Sequence, residues 1–505
     1  MADHIKHNFV VHFRRIFLRA SLEVERLRSF VKPINWRLNG KAKYALTFGV
    51  IAIVLVSCFA FLSLENHTKA TIAIQPQNNP IGPFATAHPL PSPTPKSKGS
   101  LFPNIGGIIS QITQVIGFPS PIASPGPVES SPGMNDTVWK EVAANAWAFF
   151  QPGVGVDNVT GLPYAGGEGF TAFTDWDLGS YIQAIIDAEQ IGLINATGSW
   201  GANDRLNMVL TFLENRPLNT TTNWPFWFYD ATNGQGYLTT AEFASNSADI
   251  ADTGALLVAL NNIISYNPSF AHRVDNLVYN VYGNRSDYAS LVPIIKTDGG
   301  SYSYYAYYYD SGFASFWPQQ LGNVPSQIMT NINNAGTITI YNVTLPDLPL
   351  TCEPLLLSIF ELNSTDSRSA SLMKKAYQTQ QAYYDTTGNF SAFSEGQSPD
   401  NGYVYEWIIA PNGSAWQITN TAQSYIKGMN PVIFSKAAFG MLALYNSTYA
   451  RNMVIYLEQA LPSPTNGYYD GVDTAGIPVD ANPGSNTNSL ILDAALYYIH
   501  NNPNG

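Results

Sequence analysis

Between Tyr44 and Leu64 the chain runs for 21 residues without a charge, YALTFGVIAIVLVSCFAFLSL, and no other feature limits its folding more. An α-helix needs about 20 apolar residues to cross the hydrocarbon core of a bilayer, so the run predicts a transmembrane helix over 44–64. Residues 1–43 ahead of it carry ten Lys or Arg against three acids. Basic flanks stay on the cytoplasmic side, which predicts a single-pass protein of the cell membrane with a cytoplasmic N-terminus and an exported C-terminus. A cleaved signal peptide is the competing reading. The length of the basic segment and of the apolar run, and the lack of a small-x-small pattern after it, favour a signal-anchor.

Residues 65–134 read as a stalk. Thirteen of the 65 residues from Ala70 to Met134 are Pro, with Ser and Thr between them. Proline removes backbone donors and favours polyproline II at about 3.1 Å per residue, so the segment spaces domains and builds no core. One apolar stretch, LFPNIGGIISQITQVIGF, interrupts it and carries no chemistry.

From residue 135 to 505 the chain is long enough for a large core. It holds 12 Lys and Arg against 31 Asp and Glu, a formal charge of −19, which disfavours nucleic acid and anionic lipid as partners. Its one cysteine is Cys352, so no disulfide can form within it and packing must supply its stability. Helical periodicity dominates. Thr174 or Asp175 can cap a helix whose Leu178, Tyr181, Ile182, Ile185 and Ile186 share a face, with Gly192 as its stop. SADIADTGALLVALNNII starts at Ser247 or Asp249, TCEPLLLSIFEL has a Thr cap and an early Pro, and SNTNSLILDAALYYI ends the chain in the same manner. The pattern predicts about twelve helices, near 137–150, 174–192, 201–215, 247–265, 271–281, 285–295, 312–321, 351–362, 366–385, 431–445, 447–461 and 485–500. Twelve helices with long loops predict an all-α (α/α)6 toroid over 135–505, the alternative being an irregular bundle. SYSYYAYYY, TITIYNVTL and GYVYEWII predict short β-hairpins in those loops.

Elimination narrows the chemistry. The exported region has two histidines, His272 and His500, too few for a His-rich metal site or a nucleophile triad. It shows no HExxH, P-loop or GxSxG motif. No cofactor and no metal are therefore expected; calcium in the Asp/Asn-rich loop 470–488 is conceivable, but the spacing matches no EF-hand. Carboxylates and aromatics remain, concentrated in loops ahead of helices: Asp175, Trp176 and Asp177; Trp224, Trp227, Tyr229 and Asp230; Asp249 and Asp252; Glu353; Glu395, Tyr403, Tyr405 and Glu406; Asp470 and Asp473. Any one acid there is explained by capping and the helix dipole. Together they suit a neutral glycan, whose ring faces stack on Trp and Tyr and whose cleavage needs two carboxyl groups across the bond.

At these loops the sequence resembles the glucoamylase-like (α/α)6 domains of bacterial β-1,2-glucan enzymes and their relatives classed as domains of unknown function. TDWDLGSYIQAIIDAEQIGLI, SADIADTGALLVAL, AFSEGQSPDNGYVYEW and GYYDGVDTAG are similar to the family's segments and come in its order. The resemblance implies a toroid with a glycan pocket among the loops, Glu395 as general acid, and Asp177, Asp252 and Glu353 lining the pocket. It puts Asp470 where the family has Glu, one methylene shorter, and NPGSNTNS where the family has a charged segment. Relatives with this fold are commonly inverting, which implies carboxyl groups about 6.5–9.5 Å apart.

The expected function is that of a membrane-anchored, extracytoplasmic glycoside hydrolase or transglycosylase acting on a neutral glucan or surface glycan. Glu395 would be the acid, and Asp470 or Asp177 the base. Asp175, Trp176, Trp224, Trp227, Asp252, Glu353, Tyr403, Tyr405 and Glu406 would bind substrate. The expected partners are the glycan and, through residues 44–64, the lipid bilayer. The alternative is a non-catalytic glycan-binding or cell-surface scaffold protein on the same fold.

Overall fold

The computed structural model describes residues 135–166, 170–220, 224–239, 247–248, 250–279, 308, 330, 332–362, 367–398, 402–420, 424–479 and 482–501. The basic segment, the 44–64 span, the stalk, the helices expected near 285–295 and 312–321, the SYSYYAYYY hairpin and Asp249 lie outside these residues. Among the described residues no helix is long and apolar enough to cross a membrane.

The described part is mostly helical, with short strand pairs between helices. Its helices are α1 (Asp136–Trp147), α2 (Asp175–Ile191), α3 (Ala202–Asn215), α4 (Ile250–Tyr266), α5 (Ala271–Val278), α6 (Glu353–Phe360), α7 (Ser367–Thr387), α8 (Ser435–Tyr445), α9 (Thr448–Ala460) and α10 (Ser485–Asn501). They alternate in character. In α2, α6, α8 and α10 nearly every early residue is buried, polar ones included, whereas α1, α3, α5 and α9 bury one stripe. A helix buried all round belongs in an interior, and one with a single apolar stripe belongs outside it. The buried helices adjoin one after another: α4 packs on α2, α2 on α10, α10 on α8, and α8 on α6. Such a row of buried helices is consistent with the inner layer of the expected toroid. Gly179 lets α2 and α4 approach closely, since a Cβ there would stand 3.1 Å from the Ala255 carbonyl oxygen.

Local signals explain most helix starts. Thr174 forms a capping box: its Oγ1 accepts from the backbone N–H groups of Trp176 and Asp177, and Asp177 accepts from the Thr174 N–H. Gly192 closes α2 at φ 87°. Thr174→Ala is expected to cost about 1 kcal/mol, read as a lower urea midpoint with an unchanged slope. Two expected starts move. α6 begins at Glu353 behind Cys352, which makes no side-chain cap, because the Leu350 backbone is already paired with Ile409. α8 begins at Ser435, not near 431, because Val432–Phe434 form a strand.

The strand pairs stand where chain must turn between helices. β1 (Ala172–Phe173) pairs with β4 (Tyr229–Asp230), and β2 (Leu218–Asn219) with β3 (Trp224–Pro225). β5 (Thr337–Ile340) and β6 (Val343–Pro346) form the hairpin expected from TITIYNVTL. β7 (Glu395–Ser398), β8 (Gly402–Ile409) and β9 (Ala415–Asn420) make a three-stranded meander, and β10 (Val432–Phe434) pairs with β11 (Gly471–Asp473).

Deeper in the ring, α2, α10 and the end of α6 bring Asp187, Asp493 and Glu361 together. Burial pushes all three above the usual carboxyl range, Asp187 to about 6 and Glu361 to about 8. Protons held by the folded chain are released on unfolding above about pH 4.5, so stability falls as pH rises. Between pH 5 and 8 the unfolding free energy is expected to drop by at least about 3 kcal/mol through this cluster, and Glu361→Gln to flatten that slope. Chemical denaturation across the window checks it; a stability that rises with pH in the unaltered chain and in the variant alike rules it out.

Candidate active site

The N-terminal ends of α2, α6 and α10 meet, and the first turn of α10 ties them. NPGSNTNS places three small polar residues in succession where helix side chains fan out at about 100° per residue. Each donates to a different acid. Ser485 Oγ donates to Asp177 Oδ1 at 2.8 Å, Asn486 Nδ2 to Glu353 Oε1 at 3.0 Å, and Thr487 Oγ1 to Asp470 Oδ1 at 2.5 Å. Carboxylates here also face the positive ends of helices.

Glu353 is the centre of the network and is wholly buried. Lys436, in the first turn of α8, sets Nζ 2.6 Å from Glu353 Oε2, and Ser394 Oγ donates to that oxygen at 2.6 Å. Lys436 also acts on Asp177. Burial raises the Asp177 carboxyl, while hydrogen bonds from Thr174 and Ser485 and the Lys436 charge pull it back. Glu395 follows Ser394 at the start of β7, and Tyr403 on β8 donates to its Oε1 at 3.0 Å. Burial pushes the Tyr403 phenol far above its usual range, with the charges of Glu395, Glu353, Tyr405 and Asp470 adding to it. One phenol thus stands within electrostatic reach of three of the acids.

Asp470 meets the same strand. Its Oδ2 accepts from the Gln397 N–H at 3.2 Å, and Ser435 N donates to its backbone carbonyl at 2.8 Å. Gly396 makes this approach possible: a Cβ there would lie 3.0 Å from Asp470 Oδ2 and 2.6 Å from the Phe434 ring. Gly396→Ala is expected to displace Asp470 and lower turnover about tenfold, checked by steady-state kinetics on a glucan.

Asp177, Glu353, Glu395, Asp470 and Tyr403 are therefore joined in one network. The other expected residues divide. Asp175 lies in the scaffold: it is fully buried and paired with Arg216, Nη1 to Oδ1 at 2.5 Å, with Thr253 Oγ1 donating to Oδ2 at 3.4 Å. Glu406 sits at the opposite parity of β8 from Tyr403 and Tyr405, wholly buried, where its Oε1 accepts from Val432 N at 2.6 Å. Burial raises it well above the usual range, so its role is to tie β8 to β10. Tyr405 packs edge-on against Tyr403 at 5.6 Å and stacks on Trp407. Trp176 is buried with its ring 5.9 Å from Tyr308. Trp224 is buried in β3, Trp227 is half-buried with its ring 4.8 Å from Phe228, and Asp252 is half-buried in the first turn of α4.

Lys436, Ser394, Ser485, Asn486 and Thr487 were not among the expected residues. The legible signal was NPGSNTNS, a polar run directly ahead of an apolar helix. Nothing local marks Lys436, a single cation in an otherwise apolar helix start. Among the described residues no group of three His, Cys, Asp or Glu is placed to hold a metal ion.

Comparison with solved structures identifies the fold. The chain superposes on a glucoamylase candidate from Bacteroides caccae ATCC 43185 with TM-score 0.52 and 14% identity, covering 72% of this chain and 94% of that one. It superposes on an endo-β-1,2-glucanase mutant from Talaromyces funiculosus, in complex with β-1,2-glucan, with TM-score 0.51 and 10% identity, covering 73% and 86%. The same glucanase in complex with sophorose gives TM-score 0.50 and 12% identity, covering 72% and 85%. At these identities the likeness establishes the glucoamylase-like toroid. No curated protein sequence matches the chain. Residues 141–301 and 324–501 match the family model described as "Protein of unknown function (DUF3131)", and the chain belongs to that family.

Proposed function

We propose that the exported toroid is a glycoside hydrolase or transglycosylase acting on a neutral glucan, carried by residues 44–64 as a membrane anchor and held away from the bilayer by the stalk. The observation that carries the reading is the clasp of Asp177, Glu353 and Asp470 by three successive residues of α10, with Glu395 on the adjoining strand. Fold relatives in complex with sophorose and β-1,2-glucan support a glucan as the ligand, and β-1,2-glucan is the first substrate to try.

The most heavily tied acids position the site. Asp177 is held by Thr174 on one oxygen and Ser485 on the other, and Glu353 by Lys436, Ser394 and Asn486; both position the site. Glu395, held by the Tyr403 phenol, is the general acid: it gives its proton to the glycosidic oxygen as the C–O bond breaks. Asp470 is the base, steadied by Thr487 and Gln397 while it takes a proton from the water whose oxygen bonds to the anomeric carbon. In transglycosylation a sugar hydroxyl replaces that water. Attack from the face opposite the leaving group inverts the anomeric centre.

The test is a screen of the full chain in a non-ionic detergent against α- and β-linked glucans, with NMR of the first-formed anomer. Cleavage of β-1,2-glucan with inversion supports the reading. Retention removes the water-activating role of Asp470, and binding without cleavage of any glucan replaces the enzyme by a glycan-binding module. Protease treatment of intact cells tests the topology: the toroid should be digested while residues 1–43 are protected.

A further inference from the structure

The helices also line a cavity that the chemistry above does not use. Asp187 lies ten residues along α2 from Asp177, about 15 Å away, and Asp493 lies seven residues along α10 from Asn486, about 10 Å away. Between them opens a cavity of about 540 Å³ whose lining includes Asp187, Glu361 and Asp493. Among the described residues no Lys or Arg lines it. Tyr266, Phe360 and Tyr497 add aromatic rings, the last two with centroids 5.1 Å apart.

The carboxyls are only partly satisfied. Gln183 Nε2 donates to Asp187 Oδ1 at 2.7 Å, and the Tyr308 hydroxyl donates to Glu361 Oε2. Asp187 Oδ2 and Asp493 Oδ2 accept from no N–H, although the two residues are 0% and 3% exposed; the Asp493 carboxyl hydrogen-bonds instead to Asp187 and Glu361, which requires a proton between each pair. Their acids instead face one another. Such a cluster is satisfied by shared protons or by a ligand that brings positive charge and several N–H donors. A primary ammonium brings three donors and one charge, and aromatic rings attract it further. Among the described residues no metal-holding group of side chains exists, which points away from a metal ion.

We infer that this cavity is a second binding site, taking the primary ammonium group of a small organic amine. Amine binding displaces protons from the three carboxyls, so affinity rises as pH rises through the range in which they titrate. The other titratable groups around it are Tyr308 against Glu361, Tyr266 with Glu189 beside it, and Tyr497 and His500 on α10.

Isothermal titration of the full chain with 1,4-diaminobutane at constant ionic strength tests this, in two buffers of different ionisation enthalpy. The expected result is saturable binding with proton release, tighter by about tenfold at pH 8 than at pH 6. Asp187→Asn and Asp493→Asn should each weaken it about tenfold, and Glu395→Gln should leave it unchanged, so the site stands or falls apart from glucan cleavage. Heat no larger than that of matched sodium chloride overturns the inference, as does affinity indifferent to both Asn variants. Calcium chloride saturating the same site overturns the ammonium assignment. If a variant does not fold, the pH series on the unaltered chain decides: affinity equal at pH 6 and pH 8 overturns the inference.

Discussion

Glu395→Gln is expected to lower kcat on β-1,2-glucan by about 10³-fold, the scale of a lost general acid, with KM nearly unchanged. Glutamine keeps the length of the side chain, and its carbonyl still accepts from the Tyr403 hydroxyl that holds Glu395 Oε1 at 3.0 Å. What it lacks is a proton to give to the departing oxygen. The substitution should therefore leave stability within about 1 kcal/mol, which separates a chemical loss from a folding one. An activated aryl glucoside, whose leaving group needs no proton, should lose far less than the glucan does. Equal losses on the two substrates would reduce Glu395 to a positioning residue, and an unchanged kcat on glucan would remove it from the reaction.

Lys436→Met is expected to cost about 3–5 kcal/mol of stability, because it strands the Glu353 carboxylate in the interior. Lys436 is 1% exposed and Glu353 0%, so neither charge has solvent to fall back on. Methionine replaces the aliphatic stem and fills most of its volume, so packing contributes little to the loss. Ser394 and Asn486 still donate to Glu353, but hydrogen bonds do not neutralise it. Adding Glu353→Gln to Lys436→Met should recover most of the deficit, a coupling above about 1.5 kcal/mol in a double-mutant cycle. Equal stability of the single and double variants would show that the two charges do not depend on each other. Activity should fall in both, since Asp177 also loses the nearby cation.

These expectations rest on different amounts of sequence information. The helix starts were legible where one residue sets them. Thr174, three residues ahead of Asp177, forms the capping box its spacing suggests, and Gly192 stops α2 with a positive φ. The TITIYNVTL hairpin was legible because alternation and a turn are local. Starts that depend on a distant partner were not: α6 begins late because the Leu350 backbone pairs with Ile409, and α8 because Val432–Phe434 pair with β11.

The acids show the same division more sharply. Asp175 and Asp177 stand two residues apart in one helix, so their side chains leave it about 200° apart. One meets Arg216 and the other Ser485. Tyr405 and Glu406 are adjacent in β8 and necessarily face opposite sides of the strand. Sequence grouped each pair as pocket residues because both members share a loop and a chemical type.

Among the described residues of 135–505, the sequence alone thus determined most of the helices and the TITIYNVTL hairpin. Capping, periodicity and composition act over a few residues and need no partner. Only the tertiary structure decided that Asp177, Glu353, Glu395 and Asp470 lie in one network while Asp175 and Glu406 hold the frame. That choice depends on which helix ends meet and which way a side chain leaves its element. Ser485, Asn486 and Thr487 acquire their meaning from acids far away in the chain, brought within 3.0 Å by the closing of the ring.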